Sequence, residues 1–213
     1  MADIEQLIKT KQRVTDHSEV FTPSHIVEEM LDLVADEAER IDSRFLEPAC
    51  GEGNFLRQVL FRKLATVQTK YGQSEFERRH YGLLCVMCIY GMELLEDNAV
   101  VCRQNLVEIF SSFIGEDEDE EWTRAAQNVM DCNIIQADAL TMRKADGASV
   151  VFPEWGYLGK GLFQKRDFRF ETLVQRSSFS GTLFAGLESD EMFSPVASYK
   201  PMSMRELAKG TVF

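Results

Sequence analysis

The sequence holds no run of about 18 apolar residues, so nothing in it reads as a membrane span. Its first residues, Met1 to Gln6, are polar and lack the apolar core of a signal peptide. Positive charge is scarce: 23 Lys+Arg stand against 35 Asp+Glu, a net of −12. The chain as a whole is therefore no basic nucleic-acid binder. The deficit is uneven. Residues 151–213 hold eight basic and seven acidic side chains, whereas residues 1–150 hold 15 and 28, a net of −13. The five cysteines are odd in number and sit mostly in apolar runs, which suits reduced thiols in a cytoplasm better than a disulfide framework. There are five prolines, and no two are adjacent.

What is present is a globular composition, 45% hydrophobic over 213 residues, enough for one domain with a core. The chain is organised around Leu46-Glu47-Pro48-Ala49-Cys50-Gly51-Glu52-Gly53-Asn54-Phe55-Leu56. Phe45 and Leu46 close a short strand, and Glu47 stands at its end. Gly51 and Gly53 allow a tight turn and close approach of backbone to a ligand, because they lack a Cβ. Asn54 is expected to cap a helix whose apolar positions are Phe55, Leu56, Val59, Leu60, Leu64 and Val67. On its own Gly-x-Gly fits an ordinary turn as well as a ligand loop. The strand–turn–helix context is that of a doubly wound sheet, whose ligands bind beyond the carboxyl ends of the strands.

Before the loop, residues 1–13 read as a short helix with Ile4, Leu7 and Ile8 on one face, followed by a polar loop. Thr22 is expected to cap the next helix with Pro23 at its first position. The buried stripe of that helix is Ile26, Val27, Met30, Leu31 and Val34. After the loop's own helix, another is expected from about Ser74, with Phe76, His80, Leu83, Leu84 and Met87 on one side. Cys88 to Leu94 reads as a buried parallel strand carrying Glu93 at its end. Such an acid accepts hydrogen bonds from ribose in nucleotide-binding α/β folds, and is elsewhere a solvated strand end. Cys85-Val86-Met87-Cys88 is a CxxC without a second pair, so it reads as buried thiols rather than a metal site. Glu116 to Glu121, six consecutive acids, reads as a solvated loop. Asn133 to Leu140 is a third strand with Asp138 after it.

From Asp146-Gly147 the character changes. Ser149 to Phe152 and Asp167 to Val174 read as strands joined by a glycine-rich link through Gly156, Gly159 and Gly161. Lys160, Lys165, Arg166 and Arg169, interleaved with Phe163, Phe168 and Phe170, fit either nucleic-acid contact or a half-buried strand. Irregular structure is expected from Ser177 onward.

Glu-Pro-Ala-Cys-Gly-Glu-Gly-Asn-Phe-Leu at 47–56 closely resembles the S-adenosylmethionine loop of the N6-adenine DNA methyltransferases of restriction–modification systems, including type I and type IIG-like modification subunits. The usual form there is Asp-Pro-Ala-Cys-Gly-Ser-Gly-Asn-Phe-Leu. Glu47 replaces Asp, and Glu52 replaces Ser or Thr and adds a charge that would weaken cofactor binding. His17-Ser18-Glu19-Val20-Phe21-Thr22-Pro23 resembles the segment that precedes this loop and covers the methionine end of the cofactor. Tyr90-Gly91-Met92-Glu93 and Asp138-Ala139-Leu140 resemble the second and third segments, in the same order. The resemblance covers roughly residues 15–140.

The resemblance implies an α/β fold, a Rossmann-like methyltransferase sheet that is incomplete. It occupies residues 1–145, with a helical lead-in at 1–43 and a small β-rich extension at 146–213. It implies S-adenosylmethionine held by Phe21, Thr22, Pro23, Glu47, Pro48, Ala49, Cys50, Gly51, Gly53, Asn54 and Phe55 at the methionine side. Glu93 and Leu94 would meet the ribose, and Asp138, Ala139 and Leu140 the adenine. The family's second signature, Asp/Asn/Ser-Pro-Pro-aromatic, orients the target amine and stacks a flipped base. With no adjacent prolines this chain lacks it, so no catalytic residue for the base is assigned. DNA contact and catalysis are then expected through a protein partner. A non-catalytic binding or regulatory module and a small-molecule methyltransferase are the alternatives.

Overall fold

The computed structural model describes residues 22–115, 120–171 and 194–210. The expected helix at 1–13, the Phe21 position, the first four acids of the run at 116–121 and residues 177–193 of the irregular stretch expected from Ser177 onward lie outside these residues; the described remainder of that stretch, 194–210, is not irregular but holds two short strands and a helix. The chain is mixed α/β with a parallel three-stranded sheet. Helices α1 (Ser24–Asp32) and α2 (Ala35–Glu39) lead into strand β1 (Phe45–Glu47). Helices α3 (Asn54–Tyr71) and α4 (Glu75–Met87) return the chain to β2 (Ile89–Glu93). Helices α5 (Glu96–Ile114) and α6 (Glu120–Asn133) return it to β3 (Ile134–Gln136). The strand order is β1-β2-β3, so both crossovers step the same way along the sheet.

Strand alternation separates the two faces. Phe45 lies beneath α3, with its ring 6.5 Å from Phe55 and the Lys63 ammonium 5.4 Å above it. Leu46 and Tyr90, paired in register, face the other way. That second face meets a hairpin of β4 (Val151–Gly159) and β5 (Leu162–Arg169), where Phe152 packs edge-on to Tyr90. Short strands β6 (Ala197–Ser198) and β7 (Met202–Ser203) pair with β5, and α7 (Met204–Ala208) follows with a complete capping box. Phe152, Trp155, Phe163, Met202 and Leu207 share one hydrophobic cluster with the helices. Among the described residues no helix is long and apolar enough to cross a membrane.

Several expectations need correction. Helix α1 begins at Ser24 with Pro23 as its N-cap, so Thr22 does not cap it. Only Val27 and Leu31 of its stripe are buried; Ile26, Met30 and Val34 are exposed. Helix α3 begins at Asn54, and its N-cap is Gly53 in the left-handed region, so Asn54 caps nothing. The glycine-rich link is no link: β4 runs through Gly156 to Gly159, and Lys160-Gly161, with φ of 53° and 78°, makes a two-residue hairpin turn. Of the two readings of the basic–aromatic cluster, the half-buried strand is the one the structure bears out: Phe163, Lys165 and Phe168 of β5 are buried and Arg166 and Arg169 exposed. Phe163 is fully buried, and Lys165 is buried against Asp167 with its ammonium 4.4 Å over the Tyr199 ring. Glu120 and Glu121 belong to the first turn of α6, where carboxylates suit the helix dipole.

The joint between sheet and hairpin is polar and fully buried. Asn133 donates to the carbonyls of Met87 (3.2 Å) and Ile89 (2.9 Å) and accepts from the Trp155 indole (2.9 Å). Asn133→Leu should therefore cost about 3 kcal/mol in urea denaturation, since three buried polar groups lose this partner at once. A loss below about 1 kcal/mol would show the joint to be unimportant.

Candidate functional site

Strand ends and the glycine loop create one cavity of about 310 Å³ beyond the carboxyl edge of the sheet. That is the lower end of the range for small-molecule sites. The loop is built by backbone pairing before any ligand is considered. Cys50 N–H donates to the Met92 carbonyl (3.0 Å), and Gly53 N–H to the Cys50 carbonyl (2.8 Å). Gly51 and Gly53 both have positive φ, 53° and 87°. A Cβ on Gly53 would lie 2.7 Å from the Cys102 sulfur, so that position excludes a side chain by space as well as by conformation.

Glu93 latches the loop to the sheet. Its Oε2 accepts from Gly51 N–H (2.8 Å) and its Oε1 from Leu95 N–H (3.0 Å). The carboxylate thus has a structural role that sequence reasoning did not assign, and each of its oxygens keeps capacity for a further hydrogen bond. Asn105, from α5, donates to the Glu52 carbonyl (3.0 Å), holding the loop from behind. Asn54 donates to the Thr22 carbonyl (3.4 Å), joining the lead-in to the loop instead of capping the helix.

Glu47 is the electrostatic anomaly. Its Oε2 is buried and accepts no hydrogen bond among the described residues. Burial, and then the nearby charge of Glu93, push its carboxyl up to about 7. A buried carboxyl without a partner is held in its neutral form by that upward shift unless a donor or cation meets it. Across the cavity, Asp138 Oδ1 accepts from the N–H groups of Leu140 (2.8 Å) and Thr141 (3.4 Å), and the Leu140 N–H above all holds this carboxyl below its ordinary range. Leu94 and Leu140 at the mouth are 53% and 94% exposed, two apolar lips suited to a flat ring.

Thr22, Glu47, Pro48, Ala49, Cys50 and Gly51 line the cavity, as do Asn54 and Phe55. Glu93, Leu94, Asp138, Ala139 and Leu140 line it from the other two strand ends. Pro23 and Gly53 do not; Gly53 acts as the turn behind the wall. Glu52 is also absent from the lining. Leu95, Asn98 and Ala137 line it without having been expected. The position of Asn98 in the first turn of α5, just past the Glu93 strand end, was the available signal.

No family model, curated protein or solved structure matches this chain. The chemistry of the site must therefore be argued from its own residues. Cys50 is buried, and a hydrogen bond to the Cys102 sulfur, then burial, hold its thiol above the ordinary range, which keeps it in the neutral form. Burial likewise raises Cys88, to about 11, and Cys85 further still. Both CxxC sulfurs are un-ionised at neutral pH.

Proposed function

We propose that the cavity binds S-adenosylmethionine, and that the chain is the cofactor-binding part of an N6-adenine DNA methyltransferase of restriction–modification type. One observation supports this most: three segments far apart in sequence, at Glu47–Phe55, Glu93–Leu94 and Asp138–Leu140, line the same cavity. They do so with an unpartnered carboxyl at one end and apolar lips at the other. The cofactor carries cationic groups at its methionine end and a flat purine at the other. Glu47 would face the cationic end, Glu93 the ribose hydroxyls, and Leu94 with Leu140 the purine faces, with Asp138 beside its amine.

Bound cofactor brings an activated methyl group, so the protein's task is alignment. These residues hold the donor only. The five non-adjacent prolines supply no Pro-Pro signature for the acceptor side, which fits a partner that brings it and equally fits a second reading, a non-catalytic cofactor-sensing module. Isothermal titration with S-adenosylmethionine and its demethylated product decides first. Saturable one-to-one binding is the expected result, and no heat at millimolar ligand would defeat both readings. Transfer of radiolabelled methyl to adenine in DNA on adding a partner that bears Asn-Pro-Pro-Tyr then separates them.

A further inference from the structure

The carboxylates at the ends of β1 and β2 turn to one side of the sheet. Glu47 pairs in register with Gly91, and Glu93 follows Gly91 by two residues, so strand alternation puts both side chains on the same face. Both line the first cavity. They are held differently. Glu93 is fixed by the N–H groups of Gly51 and Leu95, whereas Glu47 Oε2 accepts no hydrogen bond among the described residues. They also feel each other: after burial, the charge of Glu93 helps to push the Glu47 carboxyl up to about 7. A positive charge brought between two such groups is attracted by both and relieves their repulsion.

In S-adenosylmethionine a sulfonium joins the methionine chain to the ribose. A site that meets the first with Glu47 and the second with Glu93 therefore has the sulfur's charge in the field of both carboxylates. The demethylated product keeps the amino-acid end and the nucleoside but carries a neutral thioether at that place. Given that the cavity binds S-adenosylmethionine, we infer that the Glu47–Glu93 pair makes it selective for charge at sulfur, favouring the methyl donor over the demethylated product. Glu47 is then a specificity-determining residue, and its value lies in letting the spent product go. A neutral sulfur leaves the repulsion between the two carboxylates uncompensated, so the product is held less firmly than the donor it came from.

The test titrates the full chain at pH 7.5 with S-adenosylmethionine, S-adenosylhomocysteine and sinefungin, in which an amine-bearing carbon replaces the methylated sulfur. The product should bind at least about tenfold more weakly than the donor, and sinefungin within about threefold of it. Glu47→Gln should bring donor and product within about twofold of each other, whereas Glu47→Asp, which keeps the charge, should retain a preference above about fivefold. Where Glu47→Gln binds too weakly to give a ratio, wild type at pH 5.5 supplies the contrast, since protonation removes the same charge. The other titratable groups around Glu47 are Glu93 on β2, the thiols of Cys50 and Cys102 from the loop and α5, and Asp138 across the cavity. Cys50 is neutral and Asp138 ionised at both pH values, so the pH arm reads the carboxylate pair. Equal affinity for donor and product in wild type, or a preference that survives removal of the Glu47 charge, would overturn the inference and leave cofactor binding standing. No binding of any probe at millimolar concentration would defeat the cofactor reading and this inference with it.

Discussion

Glu93→Ala should cost the fold about 3 kcal/mol and reduce S-adenosylmethionine affinity at least a hundredfold. The first figure follows from two hydrogen bonds to a buried carboxylate, at Gly51 and Leu95, each worth roughly 1.5 to 3 kcal/mol. Relief of repulsion with Glu47 offsets part of the loss. The second follows from geometry. Without Glu93, the Gly51 N–H has no anchor, and the turn from Glu47 to Gly53 can relax out of its positive-φ conformation. Binding then has to re-form the loop as well as engage the ligand. Glu93→Gln separates the two contributions. It retains one acceptor oxygen for one N–H, so it should lose less stability than alanine, yet still lack the charge. Urea denaturation gives the first quantity and calorimetric titration the second. Wild-type affinity in the alanine variant would show that the latch does not shape the cavity.

The parts of this site that were legible in sequence are those where local chemistry and tertiary placement agree. The glycine loop is one: Gly51 and Gly53 are needed for their backbone, and a strand–turn–helix reading put them at a strand end. Glu93 was found because an apolar run ending in an acid marks a buried parallel strand, and β2 is buried throughout. Its second duty was not legible, since the N–H of Gly51 lies 42 residues away and no local pattern reports that pairing. Asn54 shows the opposite failure. Its side chain suits an N-cap, but Gly53 already occupies the left-handed position there, so Asn54 reaches to Thr22 instead. The hairpin was misread for a related reason. Gly156 and Gly159 suggested a loop, whereas pairing with β5 holds both in strand and places the turn at Lys160-Gly161. For Lys165 the sequence left nucleic-acid contact and a half-buried strand both open, because nothing in its neighbourhood announces Tyr199 folding over it.

Glu47 should draw the stability of the unliganded chain down as pH rises from about 4.5 to 7, and Glu47→Gln should remove that contribution. The carboxyl of Glu47 sits at about 7 in the folded state against an ordinary 4.5. Between those values the folded chain keeps a proton that the unfolded chain releases. The unfolding free energy therefore declines with rising pH and levels off above the folded value. The shift corresponds to about 2 to 3 kcal/mol, allowing for partial solvent contact. Asp138 and Glu206 are held below their ordinary range by backbone N–H groups. Their contribution has the opposite sign and is lost only as pH falls below about 4, whereas burial holds His80 below its ordinary 6.5 and so adds a rise of stability with pH within the window; the Glu47 contribution is therefore the difference between wild type and Glu47→Gln. Glu47→Gln should accordingly match wild type near pH 4.5 and exceed it near pH 8. A cationic ligand reverses the balance: it stabilises the ionised carboxylate and expels the proton. Near pH 6, binding should release up to about one proton, visible as a dependence of the titration enthalpy on the buffer's ionisation enthalpy. Affinity should then rise by roughly tenfold from pH 5.5 to pH 8, whereas Glu47→Gln should bind weakly with no such rise. Equal pH slopes in the two proteins would mean that Glu47 neither carries the proton nor meets the cation.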